Sequence, residues 1–290
     1  MRRLVFLPQT TLTLCVPSTV DQLNIQFLSS FVPRQEATHV IFDFDGTLSW
    51  IRHGWPEVMQ RVMGPRFPLE DRETEEDIRE YLFREMYRFN GQPTPLFMAE
   101  MAREIQSRAA EADPDEMFQT FLAALNERAH DRHDKIRTRK CPPDDYIVYG
   151  GRAFIECLIE AGLKVIILSG NPHDQVNEEA DLLDISRYCE GHVYGHTDAE
   201  NFCKQSVIEK LMNEEGFSGE NLIAIGDGAA EIKATKALNG LAIAICSDEE
   251  VNGSGVIDKN KLPILLDGGA DCVIADYREP TTLLNLLTGK

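Results

Sequence analysis

The run Val40-Ile41-Phe42-Asp43-Phe44-Asp45-Gly46-Thr47-Leu48 constrains this chain more than any other stretch. It begins as an apolar segment bounded by polar residues, the pattern of a buried parallel strand. It then delivers two aspartates, two residues apart, where the strand should end. Alternation along a strand puts Asp43 and Asp45 on the same side. Gly46 lets the chain leave the strand sharply, and Thr47 offers a hydroxyl and a backbone N–H nearby. Two carboxylates at the carboxyl end of a buried strand are costly unless something compensates them, and a divalent cation is the usual partner.

Further apolar runs follow. Leu163-Lys164-Val165-Ile166-Ile167-Leu168 leads into Ser169-Gly170-Asn171-Pro172, and Leu222-Ile223-Ala224-Ile225-Gly226 leads into Asp227, with Glu231 four residues later. His192-Val193-Tyr194-Gly195, Leu241-Ala242-Ile243-Ala244-Ile245 and Cys272-Val273-Ile274-Ala275 read as three more strands. Helical segments alternate with them: one carries Phe154, Leu158 and Ile159 and stops at Gly162, others span 174–184 and 281–287, and one starts near Lys204. This alternation predicts an α/β fold, a parallel sheet wrapped on both faces. Ligands in such sheets bind at the carboxyl ends of the strands, where Asp43, Asp45, Ser169 and Asp227 all fall. The Ser169 hydroxyl and the N–H groups of Gly170 and Asn171 suit an anion. Asp227, delivered by a second strand end, completes with Asp43 an oxygen-rich site suited to Mg²⁺.

Residues 56–140 differ in character, being charged, helical in periodicity and without strand runs. Ile78, Leu82, Met86 and Phe89 fall at helical spacing. Asp113-Pro114-Asp115-Glu116 combines an N-cap, a first-position proline and an acid in the first turn. The helix it opens carries Phe118, Phe121, Leu122, Leu125 and Ala129, a stripe that reads as core. Asn90 to Pro95 form a turn, His130 to Lys140 a solvated face and linker, and Cys141-Pro142-Pro143-Asp144-Asp145 the end of the bundle. Before it, Ser49-Trp50-Ile51-Arg52-His53-Gly54-Trp55-Pro56 reads either as an ordinary packed loop or as a flap beside the substrate. In the second reading Arg52 and His53 are the contacts for an anion or polar group.

The chain of 290 residues has a net charge of −19, which argues against nucleic acid and anionic membrane surfaces as partners. It leaves room for an anionic substrate, because one cation and one lysine make a local positive site. The seven cysteines are scattered and lack ligand spacing, as for reduced thiols in a cytoplasmic protein. No segment is long and apolar enough to span a bilayer. Met1 to Leu7 resemble the start of a signal peptide, but Pro8 to Thr11 break the apolar stretch and no clear cleavage site follows.

Asp43-Phe44-Asp45-Gly46-Thr47 resembles the first motif of the haloacid dehalogenase-like (HAD) superfamily, in its phosphoglycolate phosphatase-like branch. Ser169-Gly170 matches the second motif, Lys204 by resemblance the third, and Gly226-Asp227 followed by Glu231 the fourth. The family more often has Asp at that last position. The resemblance implies a Rossmannoid three-layer core at 38–52 and 149–290, an inserted helical cap at 53–148 and an N-terminal extension at 1–37. It also implies Asp43 as nucleophile, Asp45 as acid and base, and Mg²⁺ held by Asp43, the Asp45 carbonyl and Asp227, with Glu231 at or behind the metal. Thr47, Ser169, Gly170 and Lys204 would bind the phosphoryl group. The expected function is hydrolysis of a small phosphorylated metabolite, a sugar phosphate or phosphoglycolate, through an aspartyl-phosphate. The alternatives are a sugar phosphomutase, a dehalogenase, against which Asp45 and Asp227 argue, and a silent binding protein.

Overall fold

A seven-stranded sheet carries the chain's chemistry along one edge. The computed structural model describes residues 24–89, 92–199 and 201–290. The signal-peptide-like start, Cys15 and the Asn90-Gly91 part of the predicted turn lie outside the described residues. The strands are β1 (Gln26–Phe27), β2 (His39–Phe42), β3 (Lys164–Pro172), β4 (Val193–His196), β5 (Leu222–Gly226), β6 (Leu241–Ile245) and β7 (Cys272–Ile274). Their order is β1-β7-β6-β5-β2-β3-β4, parallel throughout except for β1, which runs antiparallel to β7. β2 is central, with His39 to Phe42 in register with Lys164 to Ile167 on one side and Leu222 to Ile225 on the other.

Alternation sorts the strand residues between two faces. Val40, Phe42, Val165, Ile167, Ile223 and Ile225 belong to one buried cluster, whereas Ile41, Ile166, Leu168, Leu222 and Ala224 belong to another. The first cluster is closed by helices α5 (Gly151–Glu160), α6 (His173–Leu182) and α10 (Pro280–Thr288) through Phe154, Val176 and Leu283. The second is closed by α7 (Lys204–Glu215) and α8 (Ala229–Ala237) through Ile208, Leu211 and Ala234. Helix α9 (Lys261–Asp267) covers the neighbouring strands on that side through Leu265. This is the three-layer α/β core expected from the alternating pattern.

Between β2 and β3 the chain inserts α1 (Trp55–Met63), α2 (Glu75–Phe89), α3 (Thr94–Ser107) and α4 (Pro114–Arg137). The Asp113 side chain caps α4, accepting from the N–H groups of Asp115 and Glu116. The insertion has its own apolar cluster, including Met59, Leu82, Met86, Phe97, Met98 and Phe121. Two features differ from expectation. The stretch 130–140 is helical to Arg137 and largely exposed, as expected of a solvated helix face, but it is not solvated throughout: Ile136, like Ala129 before it, packs in the sheet's cluster. Arg132 is buried there because its guanidinium donates to the Ile51 and His53 carbonyls. β3 also outruns its apolar residues, continuing through Ser169-Gly170-Asn171 to Pro172, with a register shift against β4 after Leu168. Among the described residues no helix is long and apolar enough to cross a membrane.

Candidate active site

Asp43 follows β2 directly and Asp227 follows β5, so adjacent strands bring both carboxylates to the same edge. Glu231 reaches the same point from the first turn of α8. One carboxylate oxygen from each of Asp43, Asp227 and Glu231 lies within 4.8 Å of the others, and all three residues are buried. Lys204, at the start of α7, places its ammonium between two of them, 2.7 Å from Asp43 Oδ1 and 3.0 Å from Glu231 Oε2. Glu231 also accepts from the Gly228 N–H, so its carboxylate is engaged by the helix start as well as by Lys204.

A second buried ammonium was not foreseen. Lys261 is fully buried, 3.0 Å from Asp227 Oδ2 and 2.5 Å from Glu249 Oε1, and it donates to Ser247 Oγ at 3.2 Å. Ser247 in turn donates to the Gly46 carbonyl at 2.7 Å, tying this group to the turn after β2. The signal for Ser247 and Glu249 was present, since they follow the apolar strand β6 at its carboxyl end, as Asp43 follows β2. Lys261 itself had no signal separating it from Lys259.

Lys204 meets Asp43 and Glu231, and Lys261 meets Asp227 and Glu249, so these two ammonium groups each serve a pair of carboxylates. Burial raises the pKa values of Asp227 and Glu231 above the usual carboxylate range, despite Lys261 beside the one and Lys204 beside the other. The three buried carboxylates form an all-oxygen donor set that would suit a hard divalent cation such as Mg²⁺.

The turn after β2 depends on glycine. Gly46 has φ +71°, and a Cβ added there would lie 2.1 Å from Asp227 Oδ2. Gly46→Ala is therefore expected to cost about 1–2 kcal/mol for the left-handed backbone alone. Displacement of Asp227 would add to that cost. Thermal unfolding and Mg²⁺ titration of the variant check both effects.

Asp45 lies one turn further on, half-buried, and accepts from the Asn171 side-chain amide. Burial raises its pKa well above the usual carboxylate range, with the Arg52 guanidinium opposing. Arg52 is buried and paired with Glu179, which also lies 3.2 Å from His133 Nε2. Asp43, Asp45, Arg52, Ser169, Gly170 and Asn171 all line one cavity of about 390 Å³ between the sheet edge and the inserted helices.

His53 and Thr47 are not among the residues lining that cavity. His53 stacks on Trp50 with ring centroids 3.5 Å apart and bonds the Trp50 carbonyl through Nδ1. Burial lowers its pKa to about 4, so the ring is neutral near pH 7. The Thr47 N–H is turned to the Phe44 carbonyl at 3.3 Å, and its own carbonyl accepts from the Tyr277 hydroxyl at 3.0 Å. The predicted core stripe on α4 also divides. Phe121 and Leu125 are buried but touch the cavity, and Phe118 and Leu122 are half-buried in its wall.

A family model of haloacid dehalogenase-like hydrolases matches residues 37–239, and the chain belongs to that family. Its fold is similar to that of a conserved haloacid dehalogenase-like protein from Agrobacterium tumefaciens, with a TM-score of 0.59 and 15% identity over 86% of this chain and 97% of the other. A predicted phosphoglycolate phosphatase from Haemophilus somnus gives a TM-score of 0.56 at 12% identity, over 86% and 98% of the two chains. A HAD family hydrolase from Deinococcus radiodurans, crystallised with bound phosphate and sodium, gives 0.54 at 18% identity, over 88% and 99%. No curated protein matches the chain.

Proposed function

We propose that this hydrolase is a Mg²⁺-dependent phosphatase of small phosphorylated metabolites. The observation that carries the reading is the meeting of Asp43, Asp227, Glu231 and Lys204 beside a cavity that Asp43 and Asp45 line. Residues 53–148 would serve as a cap over a core of 38–52 and 149–290, with 1–37 as an extension. The named likenesses to a phosphoglycolate phosphatase and to a phosphate-bound hydrolase support this reading. The six described cysteines are all free thiols, which supports a reducing, cytoplasmic setting.

Asp43 attacks phosphorus, and the bond from phosphorus to the leaving oxygen breaks. Asp45 gives its proton to that oxygen, then takes one from the water that cleaves the aspartyl-phosphate. Its raised pKa suits the first of these tasks, and the Asn171 amide holds its orientation. The Ser169 hydroxyl and the Gly170 N–H bind phosphoryl oxygens, and Lys204 holds the Asp43 carboxylate in place. Asp43, the Asp45 carbonyl and Asp227 would hold the cation, which supplies positive charge between two anions. Glu231, engaged by Lys204 and Gly228, would act behind these ligands.

The test is phosphate release from a panel including sugar phosphates and phosphoglycolate, with and without Mg²⁺. Release is expected only with Mg²⁺. Asp45→Asn is expected to slow both half-reactions, together by about 10²–10⁴-fold, and single-turnover rates equal to wild type would remove Asp45 from that role. Transfer of the phosphoryl group between positions of a sugar, without net release, would mark a mutase instead.

A further inference from the structure

We propose that the substrate's leaving group is apolar, an alkyl or aryl alcohol, rather than a sugar or a carboxylate. The inference rests on the phosphatase reading and concerns the same cavity. Its floor and its roof differ in chemistry. The core side contributes the polar groups Asp43, Asp45, Arg52, Ser169, Asn171, Gln175 and His196. Of the twelve described residues that the inserted helices contribute, only Gln92, Thr94 and the indole of Trp55 can form side-chain hydrogen bonds. The rest are apolar, with Met86, Phe97, Phe118, Phe121, Leu122 and Leu125 prominent among them.

A phosphoryl group seated at Asp43 would project its leaving group into this roof. A sugar would bring several hydroxyls against a roof where nine of twelve described side chains cannot pair with them, and each hydroxyl left unpaired costs about tenfold or more in affinity. A carboxylate against this roof would be worse placed, since among the described residues the insertion offers the cavity no cationic side chain. An alkyl or aryl group loses nothing there and gains from every methylene it removes from water. The volume of about 390 Å³ lies in the range of cavities that enclose a small organic ligand, about 300–1,000 Å³. The reaction balances as an ordinary hydrolysis: the phosphorus–oxygen bond to the alcohol breaks, the alcohol leaves with the proton from Asp45, and water supplies the hydroxyl of the inorganic phosphate.

Two measurements test this. Ethyl-, butyl- and hexylphosphonate, which cannot be hydrolysed, are titrated calorimetrically into the full chain with Mg²⁺. Affinity is expected to rise about fourfold per methylene until the cavity is filled, and Leu122→Gln is expected to flatten that dependence. In parallel, kcat/KM is compared for hexyl phosphate, phenyl phosphate, glucose 6-phosphate and phosphoglycolate, with the first two expected to lead by tenfold or more, as the lost hydroxyl pairing implies. Affinity independent of chain length overturns the proposal, as does faster turnover of the polar esters, and active turnover would then leave the phosphatase reading standing. Chain-length-dependent binding with no hydrolysis of any ester upholds the ligand class and overturns the phosphatase reading.

Discussion

Asp43→Asn is expected to lower turnover by about 10⁴-fold or more, since the group that forms the covalent intermediate is lost. The fold is expected to survive. Asn is nearly isosteric, and Lys204 keeps Glu231 as a partner at 3.0 Å. The cluster also carries more carboxylates than ammonium groups, so removal of one negative charge relieves repulsion while no cation is bound. Circular dichroism and urea unfolding check the fold, and burst-phase phosphate release checks the chemistry. A folded variant with wild-type turnover would eliminate Asp43 as the nucleophile.

Lys261→Met is expected to destabilise the protein by about 3–5 kcal/mol, the cost of stripping a buried ion pair of one partner. The reason is geometric. Asp227 and Glu249 approach Lys261 from two segments that follow neighbouring strands, at 3.0 and 2.5 Å, and burial leaves them little water. Without the ammonium, two carboxylates share one dry space. Mg²⁺ is expected to restore part of the loss, because a ligand of the folded state adds stability according to its concentration over Kd. Urea unfolding with and without Mg²⁺ measures both. Unchanged stability in the absence of Mg²⁺ would show that the Lys261 contacts contribute nothing net to folding.

The parts of the site read most directly from sequence are those that follow strands. Asp43 and Asp227 end apolar runs in strands long enough to declare themselves, and those strands turn out to be neighbours. Lys204 was legible only by resemblance to the third motif; the helix dipole disfavours a lysine at a helix start, and here Asp43 and Glu231 compensate it. What escaped reading was set by tertiary contact. Nothing in the sequence separates Lys261 from Lys259, yet only one of them meets two acids. Periodicity places Phe118 and Leu122 on the inward face of α4 but cannot tell packed core from a cavity wall. The extension of β3 through Ser169-Gly170-Asn171 comes from pairing across a register shift, and β1 is two residues of edge strand, too short to show a period.

The helical insertion also has a consequence for how the chain assembles. His39 pairs with Lys164 at the centre of the sheet, so the first parallel contact must close across the whole insertion. An unstructured loop of that length makes closure slow, because the entropy is lost before the contact rewards it. The two ends of the insertion, however, lie side by side. Trp50 N–H donates to the Tyr146 carbonyl and Val148 N–H to the Leu48 carbonyl, each at 2.8 Å. Helices α1 to α4 carry an apolar cluster of their own, so they are able to gather before the sheet exists. Once gathered, they deliver β2 and β3 to each other as though the chain between them were a short hairpin. The segment that roofs the cavity in the finished molecule is, during folding, the clasp that makes its central strand pair affordable.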